Sequence, residues 1–299
     1  MTRSNKLAIV VSFFALWINV YFSYKYQQVA GFVVIFLFGI LHGANDLALY
    51  EKIDHKNSNK SFKKILIYYI VVVVLGVVLF YSIPTLALSV FLLLSGYHFG
   101  EQHWNYLKDA KNKISSILFQ SVYGLFIFSL LFYFHDEEVK LIIGQIINKS
   151  ITFINFAWIT IGLGIALVLS AINMNKYSLT FKNQITLNIF YLFVFAIVFK
   201  TADLIWAFAI YFVVWHSVPS IKEQINYLYG NFTLSNFKKY FKSAFIYWIV
   251  SLAGILILFL AFKDKELFNA IFFSFLAAIT FPHTIIIIKM QKKENKKTE

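Results

Sequence analysis

The sequence predicts an all-α fold: a polytopic integral membrane helical bundle of about ten transmembrane helices. Three observations predict it. First, 60% of the 299 residues are hydrophobic, 20% are aromatic and only 14% are charged, whereas a soluble domain carries about 25% charged and 45–50% apolar residues. Second, the apolar residues gather into runs near the ~20 residues that a helix needs to span about 30 Å of hydrocarbon. Third, the basic residues alternate in density from one loop to the next.

Ten such runs are read, at 7–26, 29–50, 65–82, 85–103, 115–134, 151–172, 184–199, 203–219, 244–262 and 267–288. The seventh is short, Pro219 closes the eighth and Pro282 lies in the last. The first is too long for a cleaved leader and has no small-residue cleavage site after it. With the N-terminus inside, 21 Lys and Arg fall in inner segments and 6 in outer ones. That split is the positive-inside signature, with both termini cytoplasmic. It predicts multi-pass insertion in the cell inner (plasma) membrane. The chain reads as one membrane-embedded domain, 1–299, with a short cytoplasmic N-terminus and a Lys-rich cytoplasmic tail at 289–299.

The net charge of +13 therefore reflects topology and attraction to the lipid bilayer. No nucleic-acid partner is expected, because the basic residues lie in short separate loops without an RNA-binding or helix-turn-helix pattern. With no cysteine, 12 glycines and 3 prolines, the composition excludes thiolate chemistry, a disulfide scaffold, a collagen-like repeat and disorder.

Polar residues inside the apolar runs carry the functional signal, since ionisable groups there are costly and commonly functional. Of seven histidines, His55 and His135 fall in loops and read as solvated. His42, His98, His103, His216 and His283 fall within or at the ends of the second, fourth, eighth and tenth runs, all crossing from outside to inside. At 1.5 Å rise per residue, His42, His98, His216 and His283 occupy a layer roughly 8 Å thick in the inner half. Neutral imidazole is the commonest metal ligand, and several His without Cys suit Fe(2+), Zn or Cu. Asp46 stands four residues after His42 and Glu101 three after His98. Each shares a helix face with its histidine, as a carboxylate that accepts the ring N–H and orients it or, for Asp46, as a ligand. Gly43, Gly96 and Gly100 let helices approach closely or leave room for a bulky ligand. Pro219 and Pro282 are expected to break their helices and free backbone groups.

Four blocks, Leu41-His42-Gly43-Ala44-Asn45-Asp46, Tyr97-His98-Phe99-Gly100, Trp215-His216-Ser217 and Phe281-Pro282-His283, resemble in order and spacing the Brp/Blh family of bacterial membrane β-carotene 15,15'-dioxygenases. The resemblance covers about 30–290. It implies non-haem iron held by histidines and cleavage of the central 15,15' double bond of β-carotene by O2 to two all-trans-retinal molecules. The family's metal histidines map onto His42, His98 and His216. In two places the chain departs. Ser220 stands where the family carries another His, and His103 stands where it usually has an acid. Either His103 or His283 is then the fourth ligand. A retinal-binding microbial rhodopsin is the indirect partner so implied.

The residues suit that chemistry independently. β-Carotene has no polar handle, so shape and aromatic contact must hold it, and attack by O2 on a polyene needs no protein nucleophile. Three rivals remain in view. A di-iron desaturase needs HxxxH and HxxHH clusters that are absent. A haem-b carrier needs His pairs about 13–14 residues apart on two spans. A proton- or metal-coupled transporter would use the same His/Asp cluster as a relay, and no broken-helix repeat supports it.

Overall fold

The computed structural model describes residues 2–54, 59–104, 107, 112–176, 178–261 and 265–298. His55 and the loop lysines Lys56, Lys108, Lys111 and Lys263 counted above lie outside them. Every regular element among the described residues is helical: α1 (Arg3–Asn19), α2 (Tyr24–Val34), α3 (Ile40–Gly43), α4 (Asp46–Asp54), α5 (Asn59–Ser82), α6 (Pro84–His103), α7 (Lys113–Phe134), α8 (Asp136–Ile147), α9 (Phe156–Met174), α10 (Leu179–Thr201), α11 (Leu204–Ala209), α12 (Val218–Tyr229), α13 (Leu234–Ala261) and α14 (Lys265–Thr298). Two π-helical segments interrupt them, π1 (Ile35–Gly39) before α3 and π2 (Ile210–Ser217) before α12.

Helix starts follow the local sequence. Asn112, Asn155 and Ser178 accept backbone N–H groups from the first turns of α7, α9 and α10, satisfying donors that a helix leaves open. Gly230, at φ 91°, closes α12 by donating its N–H to the Asn226 carbonyl at 2.8 Å, a left-handed stop that favours glycine.

Seven helices among the described residues are long and apolar enough to cross a membrane: Tyr24–Ile53, Lys113–Phe134, Phe156–Met174, Leu179–Thr201, Leu204–Tyr229, Leu234–Ile257 and Ala270–Gln291. The chain is a helical membrane protein, and its many exposed Leu, Ile, Val and Phe suit a lipid-facing surface. The other three of the ten expected runs are not among these seven: α1 is 17 residues, the described apolar stretch of α5 is Leu66–Ser82, and α6 ends in the polar residues His98, Glu101, Gln102 and His103. The expected breaks at proline do not occur. Pro282 lies inside the continuous α14, and Pro219 lies at the join of π2 and α12, inside the unbroken helical run Leu204–Tyr229. Helix α14 also carries on to Thr298, so the expected tail is its last turns.

The chain forms two compact units. The first comprises 1–35, 92–141 and 151–219. Its core stacks α7 on α9 and α10, and α11 on α2, with α1 against π2. Trp215 Nε1 donates to Ser12 Oγ at 2.9 Å and Trp206 Nε1 to the Ala15 carbonyl at 3.3 Å, tying α1 in place. The second comprises 36–91, 142–150 and 220–299, where α14 packs on α5 and α4 and α13 on α3.

His135, expected to be an ordinary solvated residue, instead caps the end of α7 with an 11% exposed side chain, 4.0 Å from the Glu138 carboxylate. Burial pushes its pKa down, against the smaller opposite pull of Glu138. Burial, then Glu138, raises that of Asp203. For His135 the stability contribution is complete above the ordinary value near 6.5 and is lost as pH falls below it; Asp203 acts with the opposite sign at more acid pH. Stability in detergent is therefore expected to fall between pH 7 and 5.5. In His135→Asn that slope should flatten in thermal-melt measurements.

Candidate metal centre

In the first unit, α6 and π2 carry the histidines. The rings of His98 and His216 meet edge-to-face with centroids 4.9 Å apart. Both are buried, His216 to 1% exposure. Phe99 covers the His216 ring at 4.2 Å and Phe212 stacks on it at 5.4 Å. Gln102 Nε2 donates to the main-chain carbonyl of His216 at 2.9 Å. Gly96 and Gly100 allow α6 to lie directly on α7. A Cβ on Gly100 would stand 1.7 Å from the Gln120 carbonyl oxygen, and one on Gly124 of α7 would stand 1.9 Å from that of Gly96. Of the two roles open to these glycines, close helix packing is the one realised.

His103 sits elsewhere in this unit. Its ring lies among Tyr123, Phe195 and Tyr211, centroids 5.5 to 6.1 Å away, and Nε2 is 3.4 Å from the Tyr211 hydroxyl. Five residues advance a helix by about 140°, so His98 and His103 leave α6 on different faces. Glu101, three residues after His98, is half-buried.

In the second unit, His42 and His283 meet edge-to-face with centroids 4.7 Å apart. Their ring orientations are set from outside. His42 Nδ1 donates to the Gly39 carbonyl at the end of π1, and His283 Nδ1 lies 2.8 Å from Asp46 Oδ1. Asp46, 1% exposed, takes the Tyr69 hydroxyl on Oδ2 at 3.4 Å. A neutral imidazole at either position would carry its proton on Nδ1 and present Nε2 to a metal. The sequence pairs Asp46 with His42, but the structure pairs it with His283. The reason is local: α3 ends at Gly43, Ala44 N–H turns back to the Leu41 carbonyl at 3.2 Å, and Asp46 opens a new helix. The i,i+4 relation does not survive that turn.

The sequence reading passed over three residues that fix this pair. Gln224 Nε2 donates to the His42 carbonyl at 2.8 Å and to Ser220 Oγ at 3.0 Å. Tyr240 OH donates to Gln224 Oε1 at 2.8 Å, and Asn45 Nδ2 donates to the Tyr240 carbonyl at 2.9 Å. The available signal was a set of amide side chains, Asn45, Gln102 and Gln224, close to the histidine blocks. Within either unit, no group of three or more His, Asp or Glu among the described residues has ion-holding geometry. The donors come as two imidazole pairs.

A sequence model of the beta-carotene 15,15'-dioxygenase family matches residues 33–291. The chain belongs to this family. Membership gives it the coarse description of a membrane-helical dioxygenase for beta-carotene, and the matched stretch holds all five candidate histidines, Asp46 and Glu101. Helix α1 lies outside it. No curated protein and no solved structure gives a significant match.

Proposed function

We propose that the chain cleaves β-carotene with O2 at the central 15,15' double bond, giving two molecules of all-trans-retinal, with Fe(2+) as its metal and the pairs His98/His216 in the first unit and His42/His283 in the second as candidate ligands. One observation carries this reading. The four buried imidazoles form two edge-to-face pairs, and in His42 and His283 the Nδ1 proton is already engaged. Neutral nitrogen donors in apolar surroundings suit a borderline metal such as Fe(2+). His283, paired with His42, is preferred to His103, whose ring lies in an aromatic box. Bound iron would supply the electrons and open position that activate O2.

The protein's own residues do the rest. Asp46 and the Gly39 carbonyl hold two imidazoles in one tautomer. Phe99 and Phe212 against His216 keep water from the ring, which protects an oxidative step from side reactions. Glu101 is proposed to orient His98 from the same helix face. A hydrocarbon substrate reaches such a site through lipid, so the exposed apolar helix faces are its approach. The C15–C15' bond breaks, two C=O bonds form, and the two atoms of one O2 end on the two aldehydes. The 21-to-6 distribution of basic residues supports the inner (plasma) membrane with both termini cytoplasmic. A product aldehyde of this kind fits use by a retinal-binding rhodopsin.

Expression in bacteria that accumulate β-carotene tests the reading. Orange colour is expected to fade as retinal appears, and His216→Ala or His42→Ala should abolish both changes and the bound iron. Iron-free wild-type protein, or colour loss without retinal, would contradict it.

A further inference from the structure

A π turn is wider than an α turn and shifts backbone pairing, leaving carbonyls to find other partners. Buried in a membrane protein, those carbonyls must still be satisfied. Around π1, Trp248 Nε1 donates to the Phe36 carbonyl at 3.2 Å, and His42 Nδ1 to that of Gly39. Within π2, Ser217 Oγ donates to the Phe212 carbonyl at 2.9 Å. In this setting two glutamines choose the same kind of atom. Gln102 takes the carbonyl of His216, and Gln224 takes the carbonyl of His42.

We propose that Gln102 and Gln224 are positioning residues for the metal-binding histidines, each clamping the main chain of one of them through a side-chain amide. This rests on the functional reading above. Gln102 stands four residues after His98, on the same face of α6. Its amide is therefore a short strut between the element that carries His98 and the backbone of His216. Gln224 is fixed at three points: both amide hydrogens are donated, to His42 and Ser220, and its oxygen accepts from Tyr240, itself fully buried. Neither glutamine is assigned as a metal ligand. Each sets where an imidazole stands.

Gln120 supplies the comparison. Its Nε2 donates to the Trp104 carbonyl at 3.3 Å, so it is a buried clamp of the same kind on a residue that is not a candidate ligand. Gln102→Met, Gln224→Met and Gln120→Met keep side-chain length and remove the donor. In the full-length protein in detergent, all three should lower the melting temperature. Only the first two should release iron at about tenfold lower chelator, the size expected when a group supporting a ligand is lost, with kcat reduced and KM for β-carotene unchanged. Should Gln102→Met fail to fold, Gln102→Asn keeps the amide but shortens its reach and gives the same readout. Iron retention equal to wild type in Gln102→Met and Gln224→Met overturns the inference alone. Wild-type protein that retains no iron overturns the functional reading and the inference with it.

Discussion

Replacing Gly100 with alanine is expected to cost the folded state about 3 kcal/mol or more, the upper end of what overpacking costs. The new methyl would meet the Gln120 carbonyl oxygen at 1.7 Å. No rotamer relieves that contact, because both sides are backbone. Helices α6 and α7 would have to separate by more than 1 Å, and α6 carries His98, so iron binding should suffer with stability. Gly124→Ala, at 1.9 Å from the Gly96 carbonyl, should behave alike. Gly96→Ala should be milder, since its near neighbour is the movable end of the Leu125 side chain at 2.7 Å. Gly162→Ala is the control: nothing lies within 4 Å of its added methyl, and alanine gains up to about 1 kcal/mol over glycine inside a helix. Unfolding titrations in mixed micelles should rank the four variants in that order. A stable Gly100→Ala protein would mean that α6 and α7 do not pack as described.

The class of fold was legible because membrane insertion depends on composition and run length, which are written directly in sequence. The count was less so. Run length alone does not settle it: α1 has only 17 residues, and α6 trades hydropathy for the polar residues of the candidate site. The histidines were legible individually, since an imidazole among Leu, Val and Phe stands out. Their pairing was not. It depends on main-chain geometry that hydrophobic pattern does not encode: π1 and π2 redirect His42 and His216, and the turn at Ala44 sends Asp46 to His283. The same shifts expose the carbonyls that Gln102 and Gln224 take. His103 shows the opposite case. Simple helical arithmetic already placed it away from His98, and the structure puts it among Tyr123, Phe195 and Tyr211.

Asp46→Leu is expected to be the most informative single change at the site. The carboxylate is buried and accepts the His283 Nδ1 proton at 2.8 Å, a hydrogen bond to a charged group worth about 1.5–3 kcal/mol. Without it the imidazole is free to rotate or to move its proton to Nε2, where it would block metal binding. Iron affinity should then drop by 10–100-fold. Asp46→Asn keeps an acceptor of the same shape without the charge and should lie between Asp46→Leu and wild type. Tyr69→Phe removes only the 3.4 Å contact to Oδ2 and should stay within about 1 kcal/mol of wild type. His283→Ala leaves the carboxylate without its imidazole, so it should be less stable than the double variant His283→Ala/Asp46→Leu, in which no charge is stranded. Stability and iron titrations on wild type, Asp46→Leu, His283→Ala and the double variant close a thermodynamic cycle. A coupling near zero between the two positions, with iron affinity unchanged in Asp46→Leu, would remove Asp46 from the site and leave His283 as a packing residue beside His42.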